Sequence, residues 1–402
     1  MFLHCDLHVH IGRSSSGRPV KITAARDLTF ANIALECAVR KGIEVVGIVD
    51  CASPPVLEDI RALLDSGEMA AIAGGGLRFR EQVTIIPGAE FETREPGGGM
   101  SHHVSYFPDL QRLEAFSSTI GAHVTNLELS SQACRLPARD LLRMCRDCEG
   151  VFVPAHCFTP HKSVYGAAST RAEGIFGEDW ANVPAIELGL SADSHLADRI
   201  AELSDRTFLS NSDAHSLPKI GREYNIIEMQ DATFEELVMA LRREGGRQVI
   251  ANFGLDPRLG KYHRSCCEDC KWIAHGEPPV LRCEQCGSMN VTRGVLDRIV
   301  QIADYPEPRP PDHRGHYQYQ VPLQFVPGIG AVALNQLINR FGSEMAVLHR
   351  ADEQELAAVV GARKAELIAQ ARGGTLHLEA GGGGKYGKAV AHNPGALKLP
   401  GM

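Results

Sequence analysis

No stretch of the chain approaches the ~20 consecutive apolar residues of a transmembrane helix, so no membrane partner is expected. The N-terminus also lacks the basic-then-apolar pattern of a secretory signal, and a cytoplasmic location is expected. An excess of positive charge is missing too. The chain has 41 Lys and Arg against 49 Asp and Glu, a net charge of −8. That argues against a general nucleic-acid coat, though not against a local basic patch. Long internal repeats are absent beyond two short helical units near the C-terminus. What remains is an ordinary globular composition, 44% hydrophobic and 22% charged. At 402 residues there is room for a large domain and one or two small ones. Twelve cysteines in such a chain read as reduced thiols and metal ligands rather than disulfides.

From residue 1 to 255, strand-like apolar runs alternate with amphipathic helical stretches. The run 45–49 follows a helical 30–40, and 83–86 follows a helical 56–64; 151–153, 185–188 and 207–209 continue the series. Repeated β-then-α predicts an α/β fold with a parallel sheet, open or closed into a barrel, and functional groups at C-terminal strand ends. The strand ends carry such groups. His8 and His10 lie two apart in an extended run and so share a face. Asp50 follows the second strand and Glu90 the third; His102-His103 enters another, and His156, Glu187, then Asp213 and His215 close the later ones. A lone His or Asp at a strand end is ordinarily a cap or loop hydrogen-bonder. A series of them converging from one sheet makes a multinuclear centre, the arrangement that activates water for phosphoester hydrolysis.

The motifs Asp6-Leu7-His8-Val9-His10, Asp50, Gly88-Ala89-Glu90, His103-Val104, Ala155-His156 and Ser212-Asp213-Ala214-His215 resemble the polymerase and histidinol phosphatase (PHP) family, in that family's order. The runs from Pro154 to Pro160, Glu187 to Asp193 and Phe208 to Asn225 resemble its endonuclease Q branch, as do the cysteine stretch and Tyr386-Gly387-Lys388. The resemblance implies a distorted (β/α)7 barrel with two or three divalent metals (Zn, Mn or Mg). It also implies cleavage of DNA 5′ to deaminated bases (uracil, hypoxanthine, xanthine) or abasic sites. The metal ligands it implies are His8, His10, Glu90, His103, His156, Asp213 and His215, with Asp50 counted beside them; His8, His10, Glu90 and Asp213 are the expected catalytic set. His102 is expected to stand behind its neighbour His103. The family's Asp-His after the second strand is here Asp50-Cys51, so Cys51 is either a substitute thiolate ligand or a small apolar filler. By position in loops near the strand ends, Arg13, Phe158, Tyr165 and Glu187 are expected to line a substrate pocket.

Beyond residue 255, Cys267-x2-Cys270 and Cys283-x2-Cys286 form two knuckles twelve residues apart, the spacing of a closed four-cysteine structural zinc ribbon. Cys145-x2-Cys148 has no second pair and is read as ordinary thiols. Lys261 and Arg264 offer phosphate contacts beside Tyr262 and His263. The turn Gly328-Ile329-Gly330 ahead of a helix resembles a helix-hairpin-helix element whose backbone N–H groups hold a DNA phosphate. A second unit near Gly361 lacks the second glycine and is expected to pack on the first. The expected divisions are a barrel (1–255), a zinc module (256–303), a proline-rich spacer (304–322), a helix-hairpin-helix-like region (323–375) and a flexible Gly-rich tail (376–402). Damaged DNA is the expected partner. The rival readings are a PHP-type small-molecule phosphomonoesterase and a DNA-binding scaffold with impaired catalysis.

Overall fold

A computed structural model describes residues 1–391. Eleven strands precede the cysteine stretch: β1 (Phe2–Val9), β2 (Val45–Ile48), β3 (Met69–Ala71), β4 (Leu77–Phe79), β5 (Val83–Arg94), β6 (Met100–Tyr106), β7 (Val151–Pro154), β8 (Ala185–Glu187), β9 (Thr207–Leu209), β10 (Tyr224–Glu228) and β11 (Gln248–Gly254). The apolar runs become strands because each can split its side chains between two cores at period two. Val45, Ile86, Val151 and Val153 face one core inside the barrel, closed below by Leu237, Ala240 and Leu241 of the helix Phe234–Arg242. Their neighbours Val46, Ile48, Ile85 and Phe152 face outward into a second core, against Ile60 of the helix Pro54–Asp65, Phe116 and Leu141.

The expected parallel sheet is present in part, and the whole is mixed. β1, β2 and β5 are parallel, as are β8 and β9. β6 runs antiparallel to both β5 and β7, and β10 antiparallel to β1 and β11. The reversal at β6 follows from its connection: a turn over 95–99, with Gly98 at φ +86°, is far too short for a parallel crossover. Side-chain amides close the ring. Ser210 N–H donates to Asn225 Oδ1 (2.9 Å), Asn252 Nδ2 to the Phe208 carbonyl (2.8 Å), and Leu7 N–H to Asn211 Oδ1 (3.1 Å). The result is a PHP-type distorted barrel.

The segments beyond residue 255 are fastened to this barrel. β12 (Cys266–Cys267) and β13 (Val291–Thr292) pair in the cysteine module, and the helix Val295–Ile302 follows. The carboxylate of Asp297, fully buried, accepts from the N–H groups of Ser265 and Val280 (both 2.8 Å). The proline-rich stretch, expected as a spacer, is instead a strap. Arg309 N–H donates to the Asp198 carbonyl (3.0 Å), Arg314 pairs with the Asp198 carboxylate (2.8 Å), and β14 (His316–Tyr319) joins the main sheet parallel to β11. The four helices Ala331–Phe341, Glu344–His349, Glu353–Val360 and Ala362–Arg372 lie against the barrel through a buried Lys41–Glu344 pair (2.8 Å). The tail was expected to be flexible. Its described part folds back as a hairpin of β15 (His377–Glu379) and β16 (Lys388–Val390), with Gly381 N–H bonded to the Arg258 carbonyl (2.8 Å). Residues 392–402 of that expected tail lie outside the described residues.

Candidate metal centre

His8 and His10 reach the barrel interior because β1 breaks register between Asp6 and Val9. Cys5 and Leu7 face the interior core while Val9 packs in the outer one, so the irregularity re-aims both histidines. Asp6 fixes that bend by accepting from the N–H groups of Ser212 (3.0 Å) and Gly221 (2.8 Å). Behind each imidazole stands a carboxylate: Glu187 on His8 Nδ1 (2.9 Å) and Asp50 on His10 Nδ1 (3.1 Å). Asp50 also accepts from Ile11 N–H (2.7 Å), and Glu187 from Asn211 Nδ2 (2.7 Å). With Nδ1–H donated backwards, both Nε2 lone pairs point forward, and they face each other at 3.2 Å. Two such lone pairs repel unless a cation lies between them, so the donor set fits a metal.

Two ligand groups converge, in each of which the ligand atoms lie within 4.8 Å of one another: His8, His10 and Asp213, and Glu90, His102 and His156. Glu90 links them. Its Oε1 is 3.0 Å from His102, 3.4 Å from His156 and 3.6 Å from His8, and its Oε2 is 3.7 Å from His10. Asp213 Oδ1 is 3.3 Å from His10 Nε2, and His215 stands beside it at 3.6 Å. Asp213 (φ +45°) and His156 (φ +30°) hold left-handed backbone, a strain that collects where a site fixes its geometry. Burial works against the charges here, but the mutual partners prevail. Glu90 and Asp213 stay well below the usual carboxylate range, and Glu187, Glu90 and Asp213 lift His8 to about 10, so a metal at its Nε2 would take the place of a proton that the same carboxylates favour. Burial, aided by the neighbouring His10, lowers His215 to about 4.

The structure departs from the sequence expectations at several positions. His103 lies on the other face of β6, stacked on Phe152 at 4.9 Å, with Nε2 bonded to Ser101 Oγ (2.8 Å); burial pushes it down to about 3. His102, not His103, joins the converging group with Glu90 and His156. Strand pairing opposes Glu92 to His102 and Phe91 to His103, and alternation places Glu90, Glu92 and His102 together on the interior face. Asp50 is not among the converging atoms and stands behind His10. Cys51 is the filler: its buried thiol donates to the Ile48 carbonyl (3.1 Å), and burial raises its pKa. Phe158 and Tyr165 are core side chains stacked on each other at 5.3 Å, not pocket walls. Arg13 bonds Gly17 within its own loop (3.1 Å). Lys21, missed in the sequence because it sits in a loop without a motif, places Nζ 3.2 Å from Glu90 Oε2 and also bonds Ser131.

A cavity of about 180 Å³ adjoins the centre. His156, Glu187, Asn211 and Asp213 line it from the barrel, Lys261 and Tyr262 from the approach to the cysteine module, and Tyr386 from the tail hairpin. Lys261 Nζ lies 5.1 Å from the Tyr262 ring centre and 5.6 Å from that of Tyr386. Arg264 is committed elsewhere, to Asp297 (3.2 Å) and the Gly276 carbonyl (2.6 Å). In the module, Cys267 Sγ is 3.7 Å from Cys286 and Cys270 Sγ 3.6 Å from Cys283, all four within one ligand sphere, which suits a tetrahedral zinc. Cys266, Cys145 and Cys148 stand outside any such cluster among the described residues. Gly328 (φ +82°) and Gly330 bracket a buried Ile329 ahead of the helix Ala331–Phe341, and a Cβ on Gly330 would meet nothing.

A PHP-associated family pattern matches residues 193–244. The Bacillus subtilis protein YqxK is 44% identical over 391 residues, covering 96% of this chain and 98% of that protein. The lesion-specific endonuclease PfuEndoQ of Pyrococcus furiosus superposes with a TM-score of 0.81 at 32% identity, over 97% of this chain and 95% of that one. An endonuclease Q bound to a 27-mer duplex with an abasic lesion at its active site gives 0.80 at 32%, over 96% of each chain. Among the described residues no helix is long and apolar enough to cross a membrane. Shared fold, length and sequence identity agree: the chain belongs to the endonuclease Q family, metal-dependent DNA endonucleases built on a PHP barrel.

Proposed function

We propose that this protein cuts the DNA strand on the 5′ side of a deaminated base (uracil, hypoxanthine or xanthine) or an abasic site. The observation that carries the reading is the composite cavity, which places base-sized space directly against the metal-ligand cluster. Its 180 Å³ is below the roughly 300 Å³ of a whole small-ligand pocket, so it suits one extruded base with the sugar and phosphate left outside. Asn211, Ser191 and Thr159 supply polar edges along its wall.

His8, His10 and Asp213, with Glu90, His102 and His156, would hold divalent ions, and His215 stands beside them. Such ions, when bound, supply Lewis-acid activation of water and neutralise phosphodiester charge. Glu187 and Asp50 fix the tautomers of His8 and His10. Lys21 balances the excess negative charge of Glu90. Lys261, with Tyr262 and Tyr386 flanking it, meets a backbone phosphate and offers ring faces to neighbouring bases. The open turn at Gly328-Ile329-Gly330 contributes a second, sequence-independent phosphate contact.

The phosphomonoesterase rival has no use for walls supplied from the cysteine module and the tail. The impaired scaffold is disfavoured because two ligand groups still converge, with His102 in the place expected of His103. The test uses duplex oligonucleotides with deoxyuridine, deoxyinosine or an abasic site, beside an undamaged duplex and a small phosphomonoester, with manganese or magnesium. Damage-dependent nicking that disappears in Asp213→Ala is the expected result. Phosphate release from the monoester without nicking, or DNA binding with neither activity, overturns it in favour of the corresponding rival.

A further inference from the structure

The strands that present His156, Glu187 and Asp213 at their C-terminal ends leave a second opening at their N-terminal ends. A cavity of about 380 Å³ lies there, walled by segments 150–152, 181–184, 205–206 and 241–244. Four guanidinium groups line it, those of Arg146, Arg206, Arg242 and Arg243, against only two carboxylates, Asp205 and Glu244. Arg206 is the telling one. Its Nε is buried without a partner, and among the described residues its guanidinium donates no hydrogen bond; it lies over the Trp180 ring at 4.7 Å. Burial lowers its pKa, as expected for a cation held away from water without a paired anion. Arg242 likewise forms no ion pair among the described residues. Arg146 reaches Asp179 only at 3.8 Å, and that carboxylate is already bonded by Arg139 (2.6 Å) and Arg143 (2.8 Å). Arg243, at φ +61° just past the helix Phe234–Arg242, is oriented by Thr207 Oγ1 (2.9 Å) and the Asp205 carbonyl (3.1 Å).

Arg206 and Arg243 are therefore positioned by stacking and by neutral groups, and their charge, with that of the exposed Arg242, is left over. A planar fork held in that way is suited to an oxyanion, and a half-buried unpaired cation is stabilised when one arrives. We propose that this cavity at the base of the barrel binds a phosphoryl oxyanion at a site separate from the metal centre. The ligand is either a free phosphate or mononucleotide, for which the volume suffices, or a backbone phosphate of DNA wrapped round the barrel.

The protein carries its own reporter. It has two tryptophans, Trp180 beneath Arg206 and Trp272 in the cysteine module, so Trp272→Phe leaves emission from Trp180 alone. That protein is titrated at constant ionic strength with inorganic phosphate, with deoxyadenosine monophosphate, and with a short undamaged oligonucleotide, against sodium chloride. The expected result is a saturable change absent with chloride, with affinity reduced at least ~10-fold by Arg242→Gln and by Arg206→Gln. Arg242 is exposed, so its substitution tests the site even if Arg206→Gln fails to fold. A response to inorganic phosphate or the mononucleotide identifies a free ligand, and a response to the oligonucleotide alone identifies the DNA backbone; either supports the site. No saturable response from any of the three, or affinity unchanged in Arg242→Gln, overturns it.

Discussion

The barrel centre and the cysteine module are both metal-ligand clusters, yet they are assembled in opposite ways. The module gathers four thiols from within twenty residues, and two of them, Cys270 and Cys286, are exposed. Its ligand atoms approach one another directly, backed by local backbone such as the Cys286 N–H on Cys283 Sγ (3.5 Å). In the barrel, ligands separated by up to about half the chain converge in a buried space, and each N-terminal histidine is braced by a carboxylate from another strand end. Local spacing therefore suffices to define the module, whereas the barrel centre exists only once register and closure are in place. A closed thiolate site suits a folding role, and an interior of mixed nitrogen and oxygen donors beside a cavity suits chemistry.

The largest expected effect tests which side of β6 faces the centre. His102→Ala should remove barrel-bound metal and lower nicking by more than the roughly 100-fold typical of losing an outer partner. His103→Phe, in contrast, fills an aromatic stack and should leave metal content, measured by elemental analysis, near that of the parent protein. Equal loss of metal in both would mean that the register found here is wrong.

This pair also marks the limit of what was legible. Strand existence was readable from the apolar runs, and 207–209 matched β9 to the residue. The family resemblance located Glu90, His156 and Asp213, and the knuckle spacing located all four cysteines of the module. The choice between two adjacent histidines was not readable, because it depends on the β5–β6 pairing and not on composition. The re-aiming of His8 and His10 depends on the irregularity in β1, for which an alternating sequence gives no sign. Asp50, expected among the ligands, stands on His10 Nδ1 in the structure, and a strand-end carboxylate looks the same in the sequence whether it faces a metal or a histidine. The tail and the proline-rich strap were unreadable for another reason. Their own apolar content is low, and they are ordered by the barrel they lie on.

The second expected effect separates the two clusters. Cys283→Ser should cost one zinc per chain and unfold the module, because structural zinc contributes about 10–16 kcal/mol in comparable small modules. Lys261 and Tyr262 would lose their position on the cavity wall, so lesion-dependent nicking should fall along with DNA affinity. Barrel metal should be retained. Simultaneous loss of metal from both sites would show that the module supports the barrel itself.

A third, smaller effect concerns the braces. Asp50→Asn and Glu187→Gln preserve shape but remove the charge that holds each Nδ1–H, and each should lower metal affinity or activity by roughly 10–100-fold. Glu187→Gln faces a further penalty because Asn211 Nδ2 also donates to that side chain (2.7 Å). If Asp50→Asn instead behaved like His102→Ala, Asp50 would be a ligand after all. Metal titrations of the two variants distinguish these cases.

The smallest effect is expected at Cys51, the position where the sequence left a thiolate ligand and an apolar filler equally open. The structure seats its sulfur in the outer core, donating to the Ile48 carbonyl with no solvent exposure, and burial disfavours the thiolate. A ligand would need the opposite conditions, an electropositive setting and a path to the metal. Cys51→Ala should therefore leave metal content and nicking unchanged, while thermal unfolding shows a modest loss of about 1 kcal/mol from the vacated space. A cobalt-substituted protein gives a sharper reading than activity, since sulfur ligation produces a charge-transfer band that nitrogen and oxygen donors lack. Only the four-cysteine module should contribute that band, and its intensity should be the same with and without Cys51. Any decrease in Cys51→Ala would place a thiolate in the barrel and erase the contrast between the two clusters.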